Sequence, residues 1–370
     1  MKKIKFTDLY SLIEEKSKIK SKINTLIKNS QFIGGDEVIN FEKNFKDFVK
    51  TNYCVSVGNG TDALEIAIKS LKLEPNSEII LPVNTWISSA ESIVSNNCKP
   101  IFCDVDLNDY SICLNDLKKK ISRKTKCIMV VHLYGIPSNM NKIKEMIKGK
   151  NIKIIEDCAQ AHGAKIGKKH VGSFSDVATF SFFPGKNLGA FGDAGAIVTN
   201  SKSIYNYCMR ARNHGAMNKY DHKFSGRNSR LDSLNAAVLN IKLKNYNKVM
   251  KKRNHLSELY FKGLKNLKGL SLFKLNKKNT HSFHQFVIRT NKRDKLLKYL
   301  KKNKIQTMIH YPYMLNELKF FGNQKINNAK NLGKKILSLP ISEEHSSKEI
   351  KIVINKIQKF FQNKLNNKHL

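Results

Sequence analysis

The sequence predicts an α/β fold: a large domain on a mainly parallel sheet, followed by a smaller C-terminal α+β domain. Short apolar runs bounded by turn residues recur at 53–57, 78–82, 99–105, 126–134, 153–158, 176–183 and 196–199. Most are separated by stretches with helical spacing, such as Ala63, Leu64, Ala67, Ile68 and Leu71. Strands alternating with helices favour parallel pairing, and runs apolar on both faces imply a sheet covered on both sides. Beyond residue 245 the texture changes. A lysine-rich helical stretch over 247–267 leads to a strand-like run at 284–289 and a helix over 293–302. A second strand-like run at 307–310 and an amphipathic helix over 347–362 follow. The expected division is therefore 1–245 and 246–370. No repeat, low-complexity linker or Pro/Gly-rich hinge interrupts the chain, so the two parts are expected to share a broad interface.

Composition narrows the class. The 370 residues are 41% hydrophobic and 26% charged, which is globular. Residues 1–8 run into a charged helix-like stretch without an apolar signal core, and no apolar run approaches the roughly 20 residues that span a bilayer. A soluble, cytoplasmic protein without membrane association is expected. Seven cysteines, at 54, 98, 103, 113, 127, 158 and 208, form no CxxC pair; they read as buried free thiols, and no metal is expected. The net charge is +38, yet only eight of the 67 basic residues are arginine. Nucleic-acid readers concentrate charge on one face and favour arginine, so this diffuse lysine excess reads as solvated surface with no specific nucleic-acid partner. It would still suit an anionic small substrate. Against the lysine background, the cluster Arg210, Arg212, Arg227 and Arg230 marks places that need a planar, forked donor.

Four segments carry chemistry. Ser181-Phe182-Phe183-Pro184-Gly185-Lys186-Asn187-Leu188-Gly189 sets one lysine among glycines after an apolar run. Upstream, Glu156-Asp157-Cys158-Ala159-Gln160-Ala161-His162-Gly163 ends another strand on acids, where an open α/β sheet places its ligand crevice. An imine-forming lysine and a buried aspartate that keeps a pyridine nitrogen protonated are the two protein groups pyridoxal phosphate needs most. The chain reads as a pyridoxal-phosphate enzyme. Gln160 could meet the ring's phenolate oxygen, while His162 reads as structural. Gly58-Asn59-Gly60-Thr61-Asp62 is a glycine turn opening a helix; free N–H groups and the helix dipole would favour a phosphate there, with Thr61 and Ser181 adding hydroxyls. Trp86, the single tryptophan, is either a core aromatic or a ring stacked on the pyridine.

These segments, with Gly226-Arg227-Asn228-Ser229-Arg230-Leu231-Asp232, in this order resemble the nucleotide-sugar aminotransferases often called the DegT family. The resemblance runs from Phe32-Ile33-Gly34-Gly35 to the C-terminal helix. It implies a fold-type I aminotransferase, active as a homodimer with both sites at the subunit interface. Lys186 takes the imine-forming position and Asp157 the pyridine-nitrogen partner. Gln160 falls on the phenolate contact, Trp86 on the ring-stacking aromatic, and Gly60, Thr61 and Ser181 on the phosphate positions. Asn228 matches an asparagine that reaches the phosphate of the neighbouring subunit, and His310-Tyr311-Pro312 matches a motif lining the sugar pocket. L-Glutamate is the implied donor and a nucleoside-diphosphate-linked keto-sugar the acceptor, with Arg230 and the Arg210/Arg212 pair as candidates for its diphosphate. The Asn-Ser-Arg-Leu-Asp and His-Tyr-Pro forms resemble members acting on a 3-keto carbon; a 4-keto acceptor is the alternative. A dehydratase on this fold carries histidine at the lysine position, so Lys186 favours transamination. Ala194 stands where glycine is usual, a small departure.

Overall fold

The computed structural model describes residues 3–13, 15–322 and 324–366. Thirteen strands are present among the described residues. They are β1 (Tyr53–Val57), β2 (Glu78–Pro82), β3 (Lys99–Cys103), β4 (Thr125–Val131), β5 (Lys153–Asp157), the hairpin β6 (Lys165–Ile166) and β7 (Lys169–His170), β8 (Val177–Ser181), β9 (Gly195–Thr199), β10 (Ser271–Leu272), β11 (Asn279–Thr280), β12 (Phe286–Arg289) and β13 (Ile336–Leu339). Helices α1 (Lys16–Lys28) and α2 (Asp36–Val49) precede the sheet; α3 (Gly60–Ser70), α4 (Ser88–Val94), α5 (Leu114–Lys120), α6 (Met140–Met146) and α7 (Lys202–Ala211) cover it. They are followed by α8 (Ser233–Lys244), α9 (Tyr246–Leu264), α10 (Arg293–Lys302) and α11 (Ser347–Asn366). No described helix is long and apolar enough to cross a membrane.

The large sheet has seven strands in the order β1-β9-β8-β5-β4-β2-β3. Pairings among β8, β5, β4, β2 and β3 are parallel, and β9 runs antiparallel to both β1 and β8. The carboxyl ends of the other six strands therefore meet along one edge, where Asp157, Ser181 and the turn after Val57 lie. Their interior residues are buried on both faces, as the unbroken apolar runs require. Phe41 and Phe45 of α2 pack edge-on against Phe180 and Phe182, with centroids 4.9 to 5.2 Å apart. That contact seats the strand that delivers Ser181.

A second, antiparallel sheet, β10-β12-β13, packs with α9, α10 and α11. One buried apolar cluster includes both Val55 on β1 and Phe361 on α11, so packing is continuous across residue 245 as expected. All seven cysteines are free; Cys113 is half-buried and the others are buried. Two expectations fail. Residues 307–310 form no strand: Met308 makes a single bridge to Ser338, and the chain there turns aside to border a cavity while β13 takes the sheet position. The run 126–134 ends as a strand at Val131 and continues as a tight turn, Leu133–Gly135.

Beside Asp157, Glu156 is fully buried. It accepts from Gly172 N (2.7 Å), Phe174 N (2.9 Å) and Ser175 Oγ (2.7 Å), and lies 3.0 Å from His132 Nε2. Burial works to raise its pKa, but these partners outweigh it and the carboxyl lies below its ordinary value. With Cys158 the pair groups three metal-ligating side chains. Their geometry is that of a hydrogen-bonded strut: both carboxylate oxygens are taken, and burial pushes the Cys158 thiol up. Glu156→Ala should destabilise the fold by about 3 kcal/mol, because it orphans buried donors. Denaturant unfolding checks this, and a loss below about 1 kcal/mol would refute the strut.

Candidate active site

The strand ends open into a cavity of about 1950 Å³ bordered by Gly60, Thr61, Trp86, Asp157, Gln160, Ser181, Lys186, His310 and Tyr311. Nine of the residues singled out from the sequence thus share one space. Lys186 sits in the loop between β8 and β9, with its backbone N–H donating to Phe183 O at 2.8 Å. Asn187 Nδ2 donates to Ser282 O (2.8 Å), and Lys242 Nζ donates to Gly189 O (2.6 Å), so the loop is held on both sides of the lysine. Burial lowers the Lys186 pKa to about 8, with nearby Asp157 pulling the other way. Near pH 8, then, about half of this amine is uncharged and nucleophilic.

Asp157 ends β5 and is 5% exposed. Its Oδ2 accepts from Ser89 Oγ (2.9 Å) and its Oδ1 from Ala159 N (3.1 Å). No ion pair reaches it among the described residues. Gln160 Oε1 accepts from Tyr134 N (2.8 Å), which fixes the amide and turns its NH2 towards Tyr311 Oη at 2.9 Å. Trp86 is 56% exposed, which excludes the core-aromatic alternative; its ring lies 5.4 Å from that of Tyr311.

At the other end, Asn59 caps α3 by accepting from Asp62 N at 2.8 Å. The N–H groups of Gly60 and Thr61 remain without an intrahelical partner, as in any first helical turn. A Cβ on Gly60 would stand 2.8 Å from Ser181 Cβ, so only glycine lets β8 and α3 close together here. Thr61 Oγ1 lies 2.8 Å from Ser88 Oγ. Arg227 holds Asp62 (2.7 Å) and also pairs with Glu65, while Ser229 Oγ donates to Asp62 Oδ2 (2.6 Å). This fastens 226–230 to the same helix end.

Pyridoxal phosphate fits this donor set. An amine poised near neutrality, a buried carboxylate lacking a cation, unpaired helix N–H groups and an open aromatic face match its aldehyde, pyridinium, phosphate and ring respectively. Three sequence expectations lie apart. Asn228 and Arg230 are exposed and do not border the cavity; Arg230 Nη1 donates to Asn213 Oδ1 at 3.4 Å. Arg210 and Arg212 do not border the cavity either; Asp221 (3.2 Å) and Glu42 pair with them. Three of the four clustered arginines, Arg210, Arg212 and Arg227, serve internal carboxylates. His162 is structural as expected: it is buried against Phe180 and Phe182, and burial lowers its pKa to about 3.

Sequence reading missed Ser89, Tyr134, Arg253, His284 and Gln285, all placed by long-range folding. Tyr134 Oη donates to His310 O, so it joins the Gln160 anchor to the His310–Tyr311 wall. Arg253, 2% exposed, donates to Glu343 Oε2 (2.8 Å) and Phe283 O (3.0 Å) at the cavity's edge.

Residues 13–358 match the DegT/DnrJ/EryC1/StrS aminotransferase family. The chain belongs to this family. Like its other aminotransferases, it uses pyridoxal phosphate. It is 37% identical, over 96% of its length and 99% of the relative's, to a dTDP-3-amino-3,6-dideoxy-alpha-D-galactopyranose transaminase of Aneurinibacillus thermoaerophilus. It is 34% identical, over 89% of each chain, to a UDP-N-acetyl-3-dehydro-alpha-D-glucosamine 3-aminotransferase of Acidithiobacillus ferrooxidans. The crystal structure of S. venezuelae DesV in complex with a ketimine intermediate superposes with a TM-score of 0.94 at 31% identity, covering 98% of this chain and 99% of that one.

In the cofactor-free aminotransferase, reaction of Lys186 with an amine reagent should rise through a midpoint near pH 8. Asp157→Asn should move that midpoint lower, since it removes the charge that favours the ammonium; a shift upward would contradict the assignment. Gly60→Ala should weaken cofactor binding at least about tenfold, read by fluorescence titration, because the added methyl forces α3 away from Ser181.

Proposed function

We propose that this aminotransferase moves an amino group from L-glutamate to a nucleoside-diphosphate-linked sugar bearing a ketone at C3. The observation that carries the reading is convergence: Lys186, Asp157 and the amino end of α3 border one cavity of about 1950 Å³. That volume exceeds the roughly 300–1,000 Å³ of an ordinary small-molecule pocket, leaving room for a nucleotide sugar beside the cofactor. Relatives at 37% and 34% identity, one a dTDP-3-amino sugar transaminase and the other a UDP-sugar 3-aminotransferase, support the acceptor class and the position.

When bound, pyridoxal phosphate supplies an electron sink for the carbanion formed at the reacting carbon. The chain's residues do the rest. Lys186, with its pKa lowered to about 8, would take a proton from the donor's α carbon as an uncharged amine and, as the resulting ammonium, deliver it to the carbon on the cofactor side, C4′. Asp157 keeps the ring nitrogen protonated. Gln160, its carbonyl end fixed by Tyr134 N–H, offers its NH2 to the ring's phenolic oxygen. His310 stays neutral, because burial and the Lys186 charge lower its pKa to about 4; it lines the acceptor side without adding charge.

The reading includes a homodimer. Asn228 is exposed outside its own cavity, yet fastened beside the phosphate end of α3, which suits a reach into a second copy. It also includes a cytoplasmic site of action and a division at residue 245, between α8 and α9.

The test is 15N transfer from labelled glutamate to a panel of dTDP- and UDP-linked 3-keto and 4-keto sugars, with the new C–N bond located by NMR. Label at C3 is expected. Label confined to C4 would overturn the regiochemistry, and oxygen loss without label would point to a dehydratase. Lys186→Ala should reduce the rate at least about 10³-fold. Mixing inactive Lys186→Ala with inactive Asn228→Ala should restore activity if subunits share sites; no restoration would refute the sharing.

A further inference from the structure

We propose that the N-terminal arm, residues 3–9, completes the acceptor subsite, and that Lys3 together with Lys301 and Lys304 receives the diphosphate of the nucleotide sugar. This rests on the functional reading above and assigns the part of the cavity bordered by the arm, α10 and the loop after it. The arm precedes the family-matched region, which starts at residue 13, yet Lys3, Phe6, Thr7 and Leu9 border the cavity.

The arm is held in place along its length. Ile4, 2% exposed, forms a parallel bridge with Ile305: its N–H donates to Lys304 O, and Gln306 N donates back to Ile4 O, both at 2.9 Å. Phe6 N donates to Gln306 Oε1 (3.1 Å), and Asp8 N donates to Glu344 Oε1 (2.8 Å). Strand-like pairing thus brings Lys3 to the loop that carries Lys304, at the end of the helix that carries Lys301.

Two independent features give this end its ligand. The first is an aromatic row running inward from the arm. Phe6 lies 5.8 Å from His310, His310 lies 5.7 Å from Tyr311, and Tyr311 lies 5.4 Å from Trp86. Such a wall suits the apolar face of a sugar ring, with the neutral imidazole adding no charge. The second is the separation of charge. The acids bordering the cavity, Asp62, Asp157 and Asp193, belong to the cofactor end. At the arm end the bordering charges are the three lysines, and none of them has an ion pair among the described residues; the arm's Asp8 is paired with Lys5 at 2.7 Å. Lysine binds phosphate as a point charge. A ketone at Lys186, a sugar along the aromatics and a diphosphate at the lysines follow the order of groups in a nucleotide sugar.

The experiment is calorimetric titration of the pyridoxal-phosphate-loaded enzyme with dTDP and with UDP at two salt concentrations. The native enzyme should bind at least one of them. Lys301→Glu/Lys304→Glu and, separately, Lys3→Glu should weaken that binding at least about tenfold and flatten its salt dependence. The same double reversal on α11, Lys351→Glu/Lys359→Glu, should change it less than about twofold, which separates a site from the general pull of a basic protein. Unfolding midpoint and cofactor absorption verify the fold; if the double reversal fails to fold, Lys301→Gln/Lys304→Gln replaces it with the same expectation. Native-like binding by the rim variants overturns the subsite while leaving the nucleotide-sugar reading standing. Failure of the native enzyme to bind either nucleotide overturns both.

Discussion

A buried carboxylate without a cation organises this molecule. Asp157 stands at the carboxyl end of a central strand, 5% exposed, with one hydroxyl and one backbone N–H as its hydrogen-bond donors. An isolated charge in that position is expensive unless a cation meets it. The chain answers with a ligand rather than a residue: Lys186 is near enough to feel the charge, but its own pKa falls to about 8. Asp157 and Lys186 therefore form an incomplete pair bordering one cavity, which a protonated heterocycle with an aldehyde would complete from both sides.

The architecture serves that pair. Parallel strands bring their carboxyl ends to one edge, so the acid of β5, the hydroxyl of β8 and the turn after β1 meet although more than a hundred residues separate them. Tight backbone contact at Gly60 and the Arg227 clasp on Asp62 bring the helix end to where a phosphate would lie. The C-terminal part closes the opposite side. Its basic helix α10 and the loop after it line the cavity together with the N-terminal arm. In a chain of net charge +38, lysine is everywhere on the surface; a half-buried place in the cavity beside Asp157, not identity, sets Lys186 apart.

Much of this was legible in the sequence because the signals are local. The strand runs 53–57 and 78–82 and the helix 293–302 agree with the structure at both ends, since turn residues bound them. The residues proposed to hold the cofactor could be picked out because each sits in a short segment whose chemistry is self-contained, and the fold brings them to one cavity. What failed depended on partners far away. Residues 307–310 carry a strand-like run, yet the lining of the cavity claims them and Ile336–Leu339 takes the sheet position instead. Ser89 opens an ordinary helix and gains meaning only from a carboxylate 68 positions later. Arg210 and Arg212 looked like ligand-binding donors, because nothing local reveals that Asp221 and Glu42 already hold them.

The central claim is that one lysine among 59 is the cofactor's anchor. Borohydride reduction of the pyridoxal-phosphate-loaded enzyme, followed by peptide mapping, tests it most directly. The account predicts a single stoichiometric pyridoxyl label on Lys186, lost when Asp157 is replaced by a residue that also abolishes cofactor binding. A label on another lysine, or one spread over the basic surface without preference for Lys186, would contradict it.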